Sequence, residues 1–213
     1  MISNEAEARA YVAGLTDTEG LARIEAFAAL VLDENQRQNL IAKPTEPHIW
    51  QRHIADSAQL IENVSRETFG VNAGGANAGG AWLDLGSGPG FPGLVIAALH
   101  PNMPVVLVES RSRRAEFLTR CIAALDLPKC RVEAQRLERV APFPARAISA
   151  RAFAPLPKLL ALSAPFSTSA TRYVLPKGRS AAQELEALKP AIRAMFHVKH
   201  SLTDPEAGII VKA

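Results

Sequence analysis

The chain has 213 residues, 48% of them hydrophobic, enough length and apolar content to bury one substantial core, which excludes disordered and fibrous classes. No apolar run approaches the roughly 20 residues that cross a bilayer, and the opening MISNEAEARAYV lacks a basic-then-apolar signal pattern, so a cytosolic chain is expected. The net charge of +3 is unevenly spread: residues 1–70 carry 6 basic and 11 acidic side chains and residues 71–213 carry 18 and 10, with 17 arginines to 7 lysines, a balance that leans toward a polyanionic partner.

Residues 19–42 place Leu21, Ile24, Phe27, Leu30 and Val31 at helical spacing, and residues 52–64 do the same with Ile54, Ala58, Ile61 and Val64. The spacing predicts an N-terminal helical extension over 1–69. A glycine-rich stretch, GVNAGGANAGGA at 70–81, reads as a flexible loop. From Trp82 to the end, short β-type runs alternate with helical ones: WLDL, VVLVES, CRVEA, AISA and RYVL, with helices expected at 111–125, 135–141, 155–164 and 179–195. Such alternation predicts a parallel sheet with helices on both faces. The last two runs, MFHVKHSL and GIIVKA, are joined by TDPEA, too short for a crossover helix, so they should pair antiparallel. The predicted fold is therefore α/β and Rossmann-like over 82–213, with the antiparallel C-terminal hairpin that separates the methyltransferase version of this architecture from the dinucleotide one. Two cysteines, Cys121 and Cys130, have no metal-ligand spacing and read as reduced thiols; no metal is expected.

WLDLGSGPGFPG at 82–93 forms a strand, a glycine turn and the start of a helix. Glycines there let a backbone approach a ligand, and the helix's free N–H groups are expected to face the loop. The dinucleotide fingerprint fails because position 91 is Phe, and no Gly-Lys-Ser/Thr closes a phosphate loop; the pattern is Gly86, Gly88, Gly90. What fits is a nucleoside cofactor without pyrophosphate, with Asp84 near the cationic amino group of an attached amino acid. Glu109, ending the second strand, is placed to accept from a ribose diol, the alternative being a surface glutamate. Leu137 and Glu138 are candidates for an adenine, the alternative being a solvated helix start.

RHIADS at 52–57, LDLGSGPGFPG at 83–93, ES at 109–110, RLE at 136–138, ARAFAPL at 150–156 and LPKG at 175–178 occur in one order along the chain. Together they resemble the bacterial small-subunit rRNA guanine-N7 methyltransferase family, also called the glucose-inhibited division protein B family. The resemblance implies a class I methyltransferase domain and S-adenosylmethionine as cofactor. It also implies contacts at Gly86, Phe91, Leu137, Glu138 and Arg151, and a guanine in the decoding-region loop of 16S rRNA as substrate, the rRNA being free or within a partly assembled small subunit. From the residues alone, a small-molecule or protein methyltransferase and a catalytically silent RNA-binding module remain open.

The chemistry the residues permit agrees with that substrate. After the fourth strand the chain reads Ala150-Arg151-Ala152-Phe153, which offers no carboxylate or amide to take a proton from an exocyclic amine and no cysteine nucleophile. Guanine N7 carries its own lone pair and no proton, so it needs neither. Arg151 would either pair with the cofactor carboxylate or donate to guanine O6. Phe153 would stack on the base or belong to the core. His53 and Asp56, at i and i+3, either border the RNA channel or form a helix-surface pair. Arg111, Arg113 and Arg114 follow the second strand, and Lys177 and Arg179 follow the fifth. All five are expected to flank the RNA entrance at the carboxyl edge of the sheet.

Overall fold

The computed structural model describes residues 1–64 and 80–212. The expected glycine-rich loop at 70–81 therefore lies, up to residue 79, outside the described residues. Seven strands form one sheet: β1 Trp82–Leu85, β2 Val105–Val108, β3 Cys130–Glu133, β4 Ala147–Ala150, β5 Arg172–Gly178, β6 Phe196–His200 and β7 Gly208–Lys212, in the order β3-β2-β1-β4-β5-β7-β6. The first five are parallel, while β7 runs antiparallel to both β5 and β6. The strand order reverses between β1 and β4, and an open α/β sheet binds its ligands at the carboxyl ends beside such a reversal.

The N-terminal region opens with α1 Glu5–Ala13 and α2 Thr18–Asn35. Asn4 and Asp17 cap them by accepting from Glu7 N–H and Gly20 N–H. Ile24, Phe27 and Val31 turn one face of α2 into a core shared with Trp82, Leu107 and α4 Gly93–Leu99. Every residue of α4 is buried, because its all-apolar sequence lies between the sheet on one side and the N-terminal helices on the other. α5 Ser112–Ala124 packs on the same sheet face through Phe117, Leu118 and Cys121. The opposite face carries Leu83, Leu85, Val106 and Ile148 against α6 Leu156–Ser163.

Three expected helices differ. At 135–141 there is one 3₁₀ turn, Leu137–Arg139, because Val140 is already extended and prolines follow at 142 and 144. The 179–195 helix is two short pieces, α7 Ala181–Glu186 and α8 Pro190–Arg193, since Lys189, preceding a proline, is held extended. The 52–64 stretch is a π-helical turn, Trp50–Ala55, continuing into α3 Asp56–Ala58 and a 3₁₀ turn, Gln59–Asn63. Among the described residues no helix is long and apolar enough to cross a membrane.

Candidate active site

Two cavities open at the carboxyl edge of the sheet and meet at one short loop. A crevice of about 360 Å³ is lined by Gly86, Glu109, Arg111, Arg114, Leu137 and Glu138. A larger cavity of about 870 Å³ is lined by Arg52, His53, Asp56, Arg151 and Lys177 and by hydroxyls of the β6–β7 turn. Ala152, Phe153 and Ala154 border both.

The crevice is built by the glycine turn. Gly86, Gly88 and Gly90 have φ of 66°, 55° and 102°, a region side chains rarely adopt. A Cβ on Gly86 would sit 2.8 Å from Phe153 Cδ2, so the Phe153 ring lies directly over this glycine. A Cβ on Gly90 would strike Leu94 at 2.7 Å and Phe27 at 2.9 Å; that glycine serves packing against α2 rather than the crevice. Gly88 stands behind the wall, its N–H donating to Glu109 Oε2 at 2.9 Å, while Arg111 N–H donates to Oε1 at 2.8 Å. Glu109 is thus a buried carboxylate held from both sides by backbone amides, with lone pairs left for a ligand diol. Glu109→Ala is expected to weaken cofactor binding by about 1.5–3 kcal/mol, the usual range for hydrogen bonds to a charged acceptor, as read by titration calorimetry. A change of only a few tenths would confine Glu109 to bracing the turn.

Asp84 lies elsewhere than expected. Its side chain is fully buried, accepting from Ser149 Oγ at 2.7 Å and from Gly93 N–H at 3.2 Å, and Ser149 Oγ in turn accepts from Trp82 Nε1 at 2.8 Å. Strand alternation turns Asp84 to the α4 face, away from the crevice, so the carboxylate occupies the first amide of α4 itself. Burial pushes its pKa up, against the hydrogen bonds that lower it.

The second cavity centres on Arg151. Its Nη1 donates to His53 Nδ1 at 3.1 Å, and its guanidinium lies 5.2 Å from the centre of the Phe91 ring. His53 stacks on the same ring, with centroids 5.1 Å apart and planes 22° apart. Arginine only donates, so Nδ1 accepts and the proton sits on Nε2, which donates to Thr45 Oγ1 at 2.8 Å; Thr45 passes its own proton to Ala42 O. Burial, then the charges of Arg151 and Arg52, push the His53 pKa down to about 3. His53 is therefore a neutral brace for Arg151, not a cation presented to RNA. Ala152 follows at φ 51°, a left-handed alanine between Arg151 in the larger cavity and Phe153 over Gly86. Strain of this kind persists only where surrounding contacts enforce it.

Among the other expected site residues, Phe91 is buried against His53 and Phe27 and borders neither cavity. Arg151 faces the larger cavity and not the crevice. Arg113 lines neither; helical rotation from Arg114 turns it into a groove between α2 and α5 with Asp33, Glu34 and Glu116. Arg114 also donates to Asn39 O at 3.3 Å. Lys177 is still within β5, and its side chain is only 8% exposed, paired with Glu184 at 2.9 Å and donating to Ala154 O at 3.0 Å. It clamps the loop after β4 instead of reaching solvent. Arg179 is exposed and pairs with Glu206. Sequence reasoning missed Thr203, which donates to Asp56, and Gln59, which donates to both Asp56 and Ser201. The only signal was a hydroxyl-rich turn, SLTD.

A family model described as rRNA small subunit methyltransferase G matches residues 21–206. A ribosomal RNA small subunit methyltransferase G from Erythrobacter litoralis is 54% identical, covering 99% of this chain and 97% of its own. Its counterpart from Novosphingobium aromaticivorans is 52% identical, covering 97% and 87%. Among solved structures, a variant of MtNAS in complex with S-adenosylmethionine superposes with a TM-score of 0.55 at 14% identity, covering 97% of this chain and 76% of that one. A ribosomal protein methylase from Lactobacillus delbrueckii gives 0.54 at 12% identity, covering 75% and 76%. Those structures share the class I methyltransferase fold, and the family match, spanning every strand but the last, makes this chain a member of the rRNA small subunit methyltransferase G family.

Proposed function

We propose that this protein transfers a methyl group from S-adenosylmethionine to N7 of a guanine in 16S rRNA, in the cytoplasm, the rRNA being free or within a partly assembled small subunit. The observation that carries the reading is the meeting of the two cavities at Ala152–Ala154: a crevice with room for a nucleoside opens beside a larger cavity with room for a base. The residues present fit the cofactor. Gly86 leaves a wall without a Cβ, Glu109 offers a fixed carboxylate to a ribose, and Leu137 and Glu138 line the same crevice for an adenine. Gly88 acts through Glu109, and Phe91 and Arg151 act from the neighbouring side of the loop.

When bound, S-adenosylmethionine supplies a sulfonium methyl group open to in-line displacement. The chain has to align a nucleophile with it and exclude water. Guanine N7 brings its own lone pair, and neither cysteine is placed to act as a nucleophile in its stead: Cys121 and Cys130 are buried in the apolar core, where burial pushes both thiols up to about 12. Arg151, braced by His53, presents a cation at the base cavity, where it suits O6 beside N7. Phe153 offers a ring face at the boundary.

Mass-spectrometric mapping of rRNA from cells with and without the protein tests the reading. Loss of one N7-methylguanosine from 16S rRNA is expected, and an unchanged rRNA pattern overturns it. RNA contact is assigned to the exposed cations at the carboxyl edge of the sheet; Arg113 is exposed too but lies away from that edge, in the α2–α5 groove. Arg111→Glu is expected to flatten the salt dependence of rRNA binding by roughly one unit of slope, whereas Arg113→Glu, which alters only the α2–α5 groove, leaves the slope unchanged. Equal slopes for both variants would move the RNA path elsewhere.

A further inference from the structure

We infer that Asp56 selects guanine, its Oδ2 accepting from the N1–H and N2–H₂ edge of a base held in the larger cavity. This inference rests on the guanine-methylating reading above and adds the residue that enforces it. Asp56 begins α3 directly after the π-helical turn that carries His53, and it forms part of the wall of the 870 Å³ cavity. One of its oxygens is fully engaged: Oδ1 accepts from Thr203 Oγ1 at 2.8 Å and from Gln59 Nε2 at 2.9 Å. These two bonds, from elements far apart in sequence, fix the plane of the carboxylate. Among the described residues no hydrogen bond reaches Oδ2 and no ion pair involves Asp56.

A half-buried carboxylate oriented this firmly leaves Oδ2 open to the cavity, as an acceptor of fixed direction for a donor that enters it. The neighbouring cations do not fill that role. Arg52 pairs with Asp204 at 3.2 Å, and Arg151 donates to His53. Arg151 is still near enough to lower the Asp56 pKa, opposing the rise that burial causes, so the two groups face the same space without touching. The wall therefore presents an acceptor, Oδ2, next to a donor, the Arg151 guanidinium. Guanine's Watson–Crick edge runs donor, donor, acceptor through N2, N1 and O6, which this wall matches. Adenine presents a C–H, an acceptor and a donor there, and mismatches both groups. Methylation at N7 places positive charge on the purine and makes N1–H more acidic, so a bond from N1–H to a carboxylate strengthens as the methyl group arrives.

The test compares small ribosomal subunits reconstituted with synthetic rRNA carrying guanosine or inosine, which lacks the N2 amine, at the methylated position. Wild-type protein is expected to show about 10- to 100-fold lower kcat/KM on inosine, the loss of one hydrogen bond to a charged group. Asp56→Asn is expected to lose about 100-fold or more on guanosine, to bind S-adenosylmethionine normally, and to show a guanosine-to-inosine ratio near one. A merely structural Asp56 would depress both substrates equally and preserve the ratio, which overturns the inference. So does a wild-type ratio within twofold, a measurement that decides the matter even where the asparagine variant fails to fold. If the wild type methylates neither substrate, the rRNA methyltransferase reading itself falls, and this inference with it.

Discussion

Replacing Gly86 with valine is expected to reduce S-adenosylmethionine affinity by about 100-fold or more, equivalent to about 2.7 kcal/mol. Two effects combine. At φ 66° a β-branched residue carries a backbone penalty of roughly 1–2 kcal/mol, and its Cβ lies 2.8 Å from the Phe153 ring, which must swing away from the boundary between the cavities. Gly88→Ala separates the two. Its φ of 55° imposes the same kind of backbone strain, but its Cβ would meet nothing nearer than 3.7 Å, so only the smaller penalty applies. Calorimetry should rank Gly86→Val well below Gly88→Ala, and Gly88→Ala modestly below wild type. If Gly86→Val folds with its transition temperature unchanged and binds the cofactor within threefold of wild type, the crevice over Gly86 is not the cofactor site.

The sheet was legible in the sequence because its information is local. Runs such as VVLV and AISA are short, apolar and bounded by turn residues, and the five-residue spacer TDPEA admits only an antiparallel return. The glycine turn was legible for a similar reason. Glycine at three alternate positions marks a backbone that must enter left-handed space, and the positive φ at Gly86, Gly88 and Gly90 follows. Leu137 and Glu138 came to the same crevice even though the helix expected around them is a single turn, since a strand end and a turn suffice to place them.

What stayed illegible depends on pairs distant in the chain. Nothing around His53 announces that Arg151, 98 residues later, donates to it, or that Thr203, 147 residues beyond Asp56, holds that carboxylate. A cation after a strand looks equally available whether it ends in solvent, as Arg111 does, or in an internal ion pair, as Lys177 does. The difference is one of register: β5 runs on to Gly178, so Lys177 is still a strand residue facing the loop after β4. Asp84 illustrates the same limit. Alternation along β1 decides whether it meets the crevice or α4, and it meets α4.

The stability of the protein is expected to fall in mild acid partly because of His53, with a sign and window set by its environment. In the unfolded chain its imidazole titrates near 6.5, whereas in the folded protein burial and the neighbouring Arg151 and Arg52 hold it neutral down to about 3. Between those values the unfolded state binds a proton that the folded state does not. The contribution is therefore flat above 6.5 and is lost as pH falls, at about 1.4 kcal/mol per pH unit, reaching on the order of 4–5 kcal/mol in total. Asp56 and Asp84, whose pKa values are raised by burial, act in the opposite direction, since their folded forms take up protons first. A difference measurement removes them. His53→Gln retains an acceptor for Arg151 and a donor for Thr45, but it cannot take up a proton. Urea unfolding of both proteins from pH 7.5 to 4.5 should show the variant less stable at neutral pH and gaining on the wild type steadily below 6.5. A constant gap across that range would mean that the His53 imidazole is solvated, and Arg151 would then have lost the neutral acceptor that holds it at the base cavity.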